Sequence, residues 1–344
     1  MSRNVISSRK VHLMRTVKWS LIFAGIPAVL LLLNSCASSP HAADENYILV
    51  ADNTKIGYWQ SAAQGLAHAV AEMRCKSNVL GPDGHDPQAE HDAFKHAVAL
   101  KPSGILVSAA DASILTPDIN AALDQNIPVI TIDADAPESK RLFFVGTDNY
   151  SAGVIGGKMA VKLLNGKGSV VVFTIPSQSN LKDRLQGYQS AFDHTDVKIV
   201  QTVDMNGNSD TAFDSAKKLI DTKAKVDAFI CLEAISCPAV ADVVNRANLA
   251  GKVMVIAMDT DPLTVDWINK GVISATIAQK PYTMAYYGTK LLDDIHHHPP
   301  SPLAGDWNRN IFSPIPTFVD TGTFVVDKTN VGNLAKGPGA GGSQ

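Results

Sequence analysis

Residues 253–278 read VMVIAMDTDPLTVDWINKGVISATIA. An apolar run closing on Asp259, a stretch from Pro262 to Asn269 with helical spacing, and a second apolar run over Ala275–Ala278 make one strand–helix–strand unit. The same beat extends outward from it. Strands are expected at Tyr47–Ala51, Ile105–Ser108, Val129–Asp133, Val170–Ile175, Lys198–Val203 and Ala228–Leu232. Helices are expected at Ser61–Met73, from the Asp86-Pro87 cap through Leu100, and at Thr116–Gln125, Ala152–Leu164, Leu181–Phe192, Thr211–Asp221 and Ala239–Ala247. A last helix, Tyr282–Ile295, follows the opening unit. Strands with few polar interruptions, each followed by a helix, imply parallel sheets covered on both faces. Roughly ten such units exceed one five- or six-stranded sheet, so the expected fold class is α/β with two doubly wound lobes. The lobes are expected to meet near Gly146–Asn149.

The chain has 344 residues, 45% hydrophobic and 18% charged, with 24 Gly and 18 Pro. That balance excludes collagen-like and disordered polypeptides. The formal net charge of -3 conceals an asymmetry, because residues 1–35 hold Arg3, Arg9, Lys10, Arg15 and Lys18 and no acid. The remainder has 25 basic against 33 acidic residues. Phosphate contacts need clustered Lys and Arg, so no nucleic-acid partner is expected.

The basic segment leads into Trp19–Leu33, fifteen mostly apolar residues. A bilayer-spanning helix needs about 20, so this length fits the apolar region of a signal peptide. Leu33-Asn34-Ser35-Cys36, followed by polar Ala37–His41, resembles a bacterial lipoprotein signal, with Asn34 departing from the usual small or apolar residue. The resemblance implies that residues 1–35 are removed, that Cys36 is diacylated, and that 36–46 is a flexible tether. An ordinary secretory signal or an uncleaved short anchor is the alternative. The expected location is outside the cytoplasm, anchored to a membrane and facing the periplasm or cell exterior. Cys75, Cys231 and Cys237 then lie in an oxidising compartment, and Cys231 and Cys237 either close a short disulfide or stay free.

Ligands of doubly wound sheets sit beyond the carboxyl ends of the strands. Those positions hold Tyr58 and Trp59, Asp133, Glu233, Asp259 and Gln279. Carboxylates accept hydrogen bonds from hydroxyls and aromatic faces cover C–H patches, so this rim suits a neutral polyhydroxylated ligand.

At these residues the sequence resembles the ribose-type periplasmic binding proteins, whose fold is shared with the effector cores of lac-repressor-type regulators. The resemblance covers residues 47–330. It rests on Tyr58-Trp59 and Gly65, Pro128–Asp133, Gly146-Thr147-Asp148-Asn149 with Gly153, Arg184 with Gly187-Tyr188, Asp259, Ala278-Gln279 with Tyr282, and a closing Val319-Asp320-Thr321-Gly322. It implies the type I fold: two Rossmann-like lobes joined by a three-segment hinge near Gly146–Asn149, Gln279–Pro281 and Ser313–Pro316. The first lobe would be 47–147 plus 281–312, the second 148–280 plus 313–330, and 331–344 a disordered tail.

The resemblance also implies roles. Tyr58 and Trp59 would stack on the ligand with Phe213 opposite, and Asp133 and Asp259 would hold hydroxyls from opposite lobes. Asp148 would lie at the hinge, Arg184 would be the cationic donor, Glu233 would line the rim, and Gln279 would close the site. Many relatives have Asp-Arg where this chain has Asp133-Ala134, and Asn-Asp where it has Leu232-Glu233, so the sugar need not be ribose.

Competing motifs fail on spacing. Asp204–Asp210 puts its glycine at the wrong place for a calcium loop, the Gly153–Lys158 stretch lacks Walker spacing, and His296-His297-His298 precedes two prolines as a surface turn would. No cofactor, metal or catalytic residue is expected. The expected function is capture of a sugar or polyol and delivery to an ABC permease by a monomeric lipoprotein. A sensor acting on a chemoreceptor or histidine kinase is the alternative, and an exported glycoside hydrolase with a carboxylate pair is a further one.

The mature protein is expected to begin at an acylated Cys36 and to partition with membranes. Cys36→Ala should release it or leave it unprocessed. Mass spectrometry of a soluble native protein cut elsewhere would contradict the lipoprotein signal.

Overall fold

The structure, a computed structural model, describes residues 41–336. The signal, Cys36, the first part of the tether (37–40) and residues 337–344 lie outside the described residues. The described residues from Ala43 onward form one compact unit. Its first lobe starts with β1 (Asn46–Val50), α1 (Gly57–Met73), β2 (Lys76–Leu80), α2 (Pro87–Ala99), β3 (Gly104–Val107), α3 (Ala112–Asp124), β4 (Val129–Ile132) and β5 (Phe144–Gly146). The second lobe holds α4 (Asn149–Leu163), β6 (Lys167–Thr174), α5 (Ser179–Phe192), β7 (Asp196–Asp204), α6 (Ser209–Asp221), β8 (Ala228–Cys231), α7 (Ser236–Arg246), β9 (Met254–Met258), α8 (Pro262–Asn269) and β10 (Ala275–Ala278). Then α9 (Pro281–His297) returns to pack on α1, β11 (Phe318–Asp320) joins the first sheet, and β12 (Phe324–Asp327) joins the second.

Both sheets have six strands, in the orders β2-β1-β3-β4-β5-β11 and β7-β6-β8-β9-β10-β12. Every pairing is parallel except that of β12 with β10. Sheets buried on both faces need unbroken apolar strands, and β1, β3, β4 and β8 supply them, with Ile48, Leu49, Leu106, Ile130 and Ile230 fully buried. In the second lobe alternate residues enter separate clusters: Val171, Phe173, Phe229 and Val255 on one face, Val170, Val172, Ile230 and Ile256 on the other. Each such side chain contributes about 1.5–3 kcal/mol by leaving water.

Several boundaries differ from the sequence expectation. Helix α1 begins at Gly57 rather than Ser61, and α3 begins at Ala112 because Asp111 accepts the Ser113 amide at 2.8 Å. Strands β2 and β5 were not expected. The third passage between lobes falls at Thr321–Thr323, not Ser313–Pro316, because Phe318, Val319 and Asp320 pair with Phe144, Val145 and Gly146, and the Phe318 ring stacks on Phe144 at 5.2 Å. Residues 313–320 therefore belong to the first lobe. Val331–Lys336, expected to be part of a disordered tail, is instead a 3-10 turn whose Val331 packs in the second core. Cys75, Cys231 and Cys237 are free thiols.

Helices α4 and α5 approach until their backbones touch. A Cβ at Gly153 would strike the Arg184 carbonyl, and one at Gly187 the Tyr150 carbonyl. A Gly→Ala change inside a helix normally gains up to about 1 kcal/mol. Here the added methyl meets main chain, so Gly153→Ala is expected to lose about 1–3 kcal/mol instead. Urea unfolding reads the sign, and a gain would show that the two helices part without cost.

Candidate functional site

Strand order reverses beside β1 in one sheet and beside β6 in the other, the points at which such sheets open a crevice. The residues following β1 and β4 in the first lobe and β6, β8, β9 and β10 in the second line one cavity. Asp133 and Asp259 occupy matching places, each one residue beyond its strand, and both are left-handed, at φ 65° and 67°. Aspartate tolerates that conformation better than branched or bulky residues.

On the first lobe, Tyr58 and Trp59 come from the opening turn of α1 and are nearly buried. The Tyr58 hydroxyl donates to Asp133 Oδ1 at 2.7 Å, and the two rings meet edge to face at 5.3 Å. On the second, Arg184 from α5 donates to the Leu232 carbonyl, to Asn149 Oδ1, and to Gln279 Oε1 at 3.3 Å. Gln279 Nε2 in turn donates to Asp259 Oδ1 at 3.0 Å. The Arg184 Nε has no acceptor among the described residues although the side chain is buried. A buried donor left so costs about 1–3 kcal/mol, and an oxygen-bearing ligand would relieve it.

Seven of the nine expected ligand residues line this cavity: Tyr58, Trp59, Asp133, Arg184, Glu233, Asp259 and Gln279. Glu233, however, turns its carboxylate to the start of α7, accepting the Ile235 and Ser236 amides and the Ser236 hydroxyl. Asp148 and Phe213 fall outside. Asp148 caps α4 through the Ser151 amide at 2.9 Å, and Phe213 faces a neighbouring apolar hollow with Arg246 5.6 Å above its ring.

Three polar residues of the cavity were not anticipated: Asp52, Gln178 and Asn180. Asp52 pairs with His85 at 2.7 Å, and Gln178 of the second lobe donates to its other oxygen at 3.4 Å. Burial pulls His85 down, but the hydrogen bond and charge of Asp52 outweigh it and raise the imidazole overall. Asp52 follows β1 as Asp133 follows β4, so the strand-end rule could have found it.

Burial pushes Asp133 up to about 6 and Asp259 up to about 8, with the Arg184 charge opposing it in both. Carboxyls, amides, one guanidinium and two aromatic faces can hold a hydroxylated ring. The cavity's described lining contains no serine, cysteine or histidine.

The two shifts fix a pH dependence. Unfolded aspartates titrate near 4, so the folded protein holds protons that the unfolded chain releases. The stability so contributed is complete below about pH 4 and is lost as pH rises through about 6 and then about 8. The melting temperature of the unliganded protein is expected to fall across that window. Asp259→Asn should flatten its upper part, and a profile unaltered by the substitution would contradict the assignment.

Comparison with known proteins agrees with this architecture. Residues 47–297 match the model of the periplasmic binding protein domain. The D-allose-binding periplasmic protein of Escherichia coli is 23% identical over 288 residues, covering 80% of this chain and 91% of its own. A sugar-binding protein of a sugar ABC transporter from Bacillus halodurans is 30% identical with a TM-score of 0.74, over 84% of this chain and 99% of that one. The arabinose-binding protein AraP from Geobacillus stearothermophilus is 31% identical with a TM-score of 0.71, at the same coverage. A match running from the first strand to the helix that returns to the first lobe, together with two sheets in these orders, settles the family: the chain belongs to the periplasmic binding proteins.

Proposed function

We propose that this protein is an extracytoplasmic solute-binding lipoprotein that captures a sugar or sugar-like polyol between its lobes and delivers it to an ABC permease. The observation that carries the reading is the placement of Asp133 and Asp259, one per lobe, in a single cavity beside Tyr58, Trp59 and Arg184. Relatives named for allose and arabinose binding support the ligand class, and the basic, apolar, Cys36-ending N-terminus supports export and anchoring.

Capture would work by closure. The chain passes between lobes at Thr147–Asp148, Gln279–Lys280 and Thr321–Thr323, so bending is confined to three short segments. A ligand bound by both lobes favours the closed arrangement by its extra contacts there, and one held by a single lobe does not. The permease would then read the outer surfaces of the closed lobes. The aspartates act as hydrogen-bond acceptors in this scheme, with Tyr58 and Gln279 already donating to them.

A thermal-shift screen of pentoses, hexoses and polyols is expected to find a ligand. Asp133→Ala and Asp259→Ala should each weaken it by about 2–4 kcal/mol in calorimetry, because ligand hydroxyls are left unpaired. Wild-type affinity in both variants would remove the cleft assignment.

A further inference from the structure

The N-terminus of α1 is incomplete within its own lobe. The residue before it is Ile56, which offers no side-chain cap, and its first turn has no acid. Asn53 Oδ1 serves the amides of Lys55 and Ile56 and reaches no further. Helices α2, α3, α4 and α6 are capped by Asp86, Asp111, Asp148 and Asn208, each the residue immediately preceding its helix, whereas α5, α7, α8 and α9, like α1, have no side-chain cap from that residue.

What completes α1 comes from the other lobe. Asp261, just before α8, accepts the Tyr58 amide at 3.2 Å. It makes no side-chain cap for its own helix. A second observation points the same way. A Cβ at Gly57 would lie 2.6 Å from Asp261 Oδ1 and 3.3 Å from Pro262 Cδ, so both obstacles belong to the second lobe. Gly57 is helical and outside the left-handed region, so its own lobe does not require a glycine there. Neither Gly57 nor Asp261 lines the cavity of Asp133 and Asp259; both border the neighbouring apolar hollow.

We propose that Asp261 is a helix cap supplied across the cleft, so that lobe closure completes α1 and the Gly57–Asp261 contact helps hold the ligand-bound state shut. This rests on the reading that the cleft closes over a sugar. Asp261 is then a positioning residue: it acts on Tyr58 and Trp59 through the helix that carries them. Open lobes leave the first amides of α1 to water, and closed lobes give them a carboxylate, which the helix dipole also favours.

The test titrates wild type, Gly57→Ala, Asp261→Ala and Asp261→Asn with D-ribose, D-allose, D-xylose, L-arabinose, D-glucose, D-galactose and xylitol. Loss of a cap predicts that Gly57→Ala and Asp261→Ala weaken whichever of these the wild type binds by about 3- to 30-fold. The loss should appear as faster dissociation, with a larger radius of gyration at equal sugar concentration, and Asp261→Asn should restore most of it. Ligand-free melting should not fall in Gly57→Ala, since alanine is the better helix former. Equal affinity in all four proteins overturns the proposal and leaves sugar capture standing. Ligand-free melting lowered in Asp261→Ala as much as sugar-bound melting also overturns it, because the cap would then be a static one. Binding of none of the seven by wild type removes the sugar reading and the proposal with it.

Discussion

Two carboxylates at facing strand ends, Asp259 buried and Asp133 half-buried, govern how the rest of the site is built. Taking Asp133 and Asp259 out of water favours their protonated forms, and burial is the largest influence on each. Arg184 is the cation that opposes it in both, and its own guanidinium is held by the Leu232 carbonyl, Asn149 and Gln279. The position of Arg184 depends in turn on how closely α4 meets α5, which only glycines at 153 and 187 permit. Charge balance in the cavity therefore reaches back to a backbone contact on the outer side of the second sheet.

Much of the fold was legible because parallel strands covered on both faces admit little besides apolar side chains, so β1, β3, β4, β8, β9 and β10 announce themselves. Strand β2 did not. It lies at a sheet edge with Lys76, Asn78 and Val79 exposed, and its sequence KSNVL carries no periodicity to read. Strand β5 is three residues long, too short for any pattern. The third passage between lobes was misplaced because β11 is brief and half-exposed, and what assigns it to the first sheet is a pairing with β5 far away in the chain.

Within the site, the aspartates after apolar strands and the aromatic pair at the start of α1 could be found by position. Asp52 and Gln178 follow the same positional rule, yet their share in the cavity depends on β1 and β6 standing where strand order reverses, and sheet order is not written locally. Phe213 and Asp148 show the converse. Each sits near the right place in the chain, but one is directed to an adjoining hollow and the other serves the first turn of its own helix. The contact of Tyr58 with Asp261 joins residues 203 apart in sequence, and no local pattern encodes it.

The late return of the chain to the first lobe has a consequence for how the molecule is made. Helix α9 and strand β11 are synthesised after most of the second lobe, and until they arrive α1 lacks its neighbour and β5 has an open edge. Gly65 of α1 packs against the Tyr282 main chain, so that interface cannot form early in any substitute way. The first lobe's contacts thus span most of the chain length, and such separation slows folding. A growing polypeptide with this thread order cannot complete its first lobe until nearly its end.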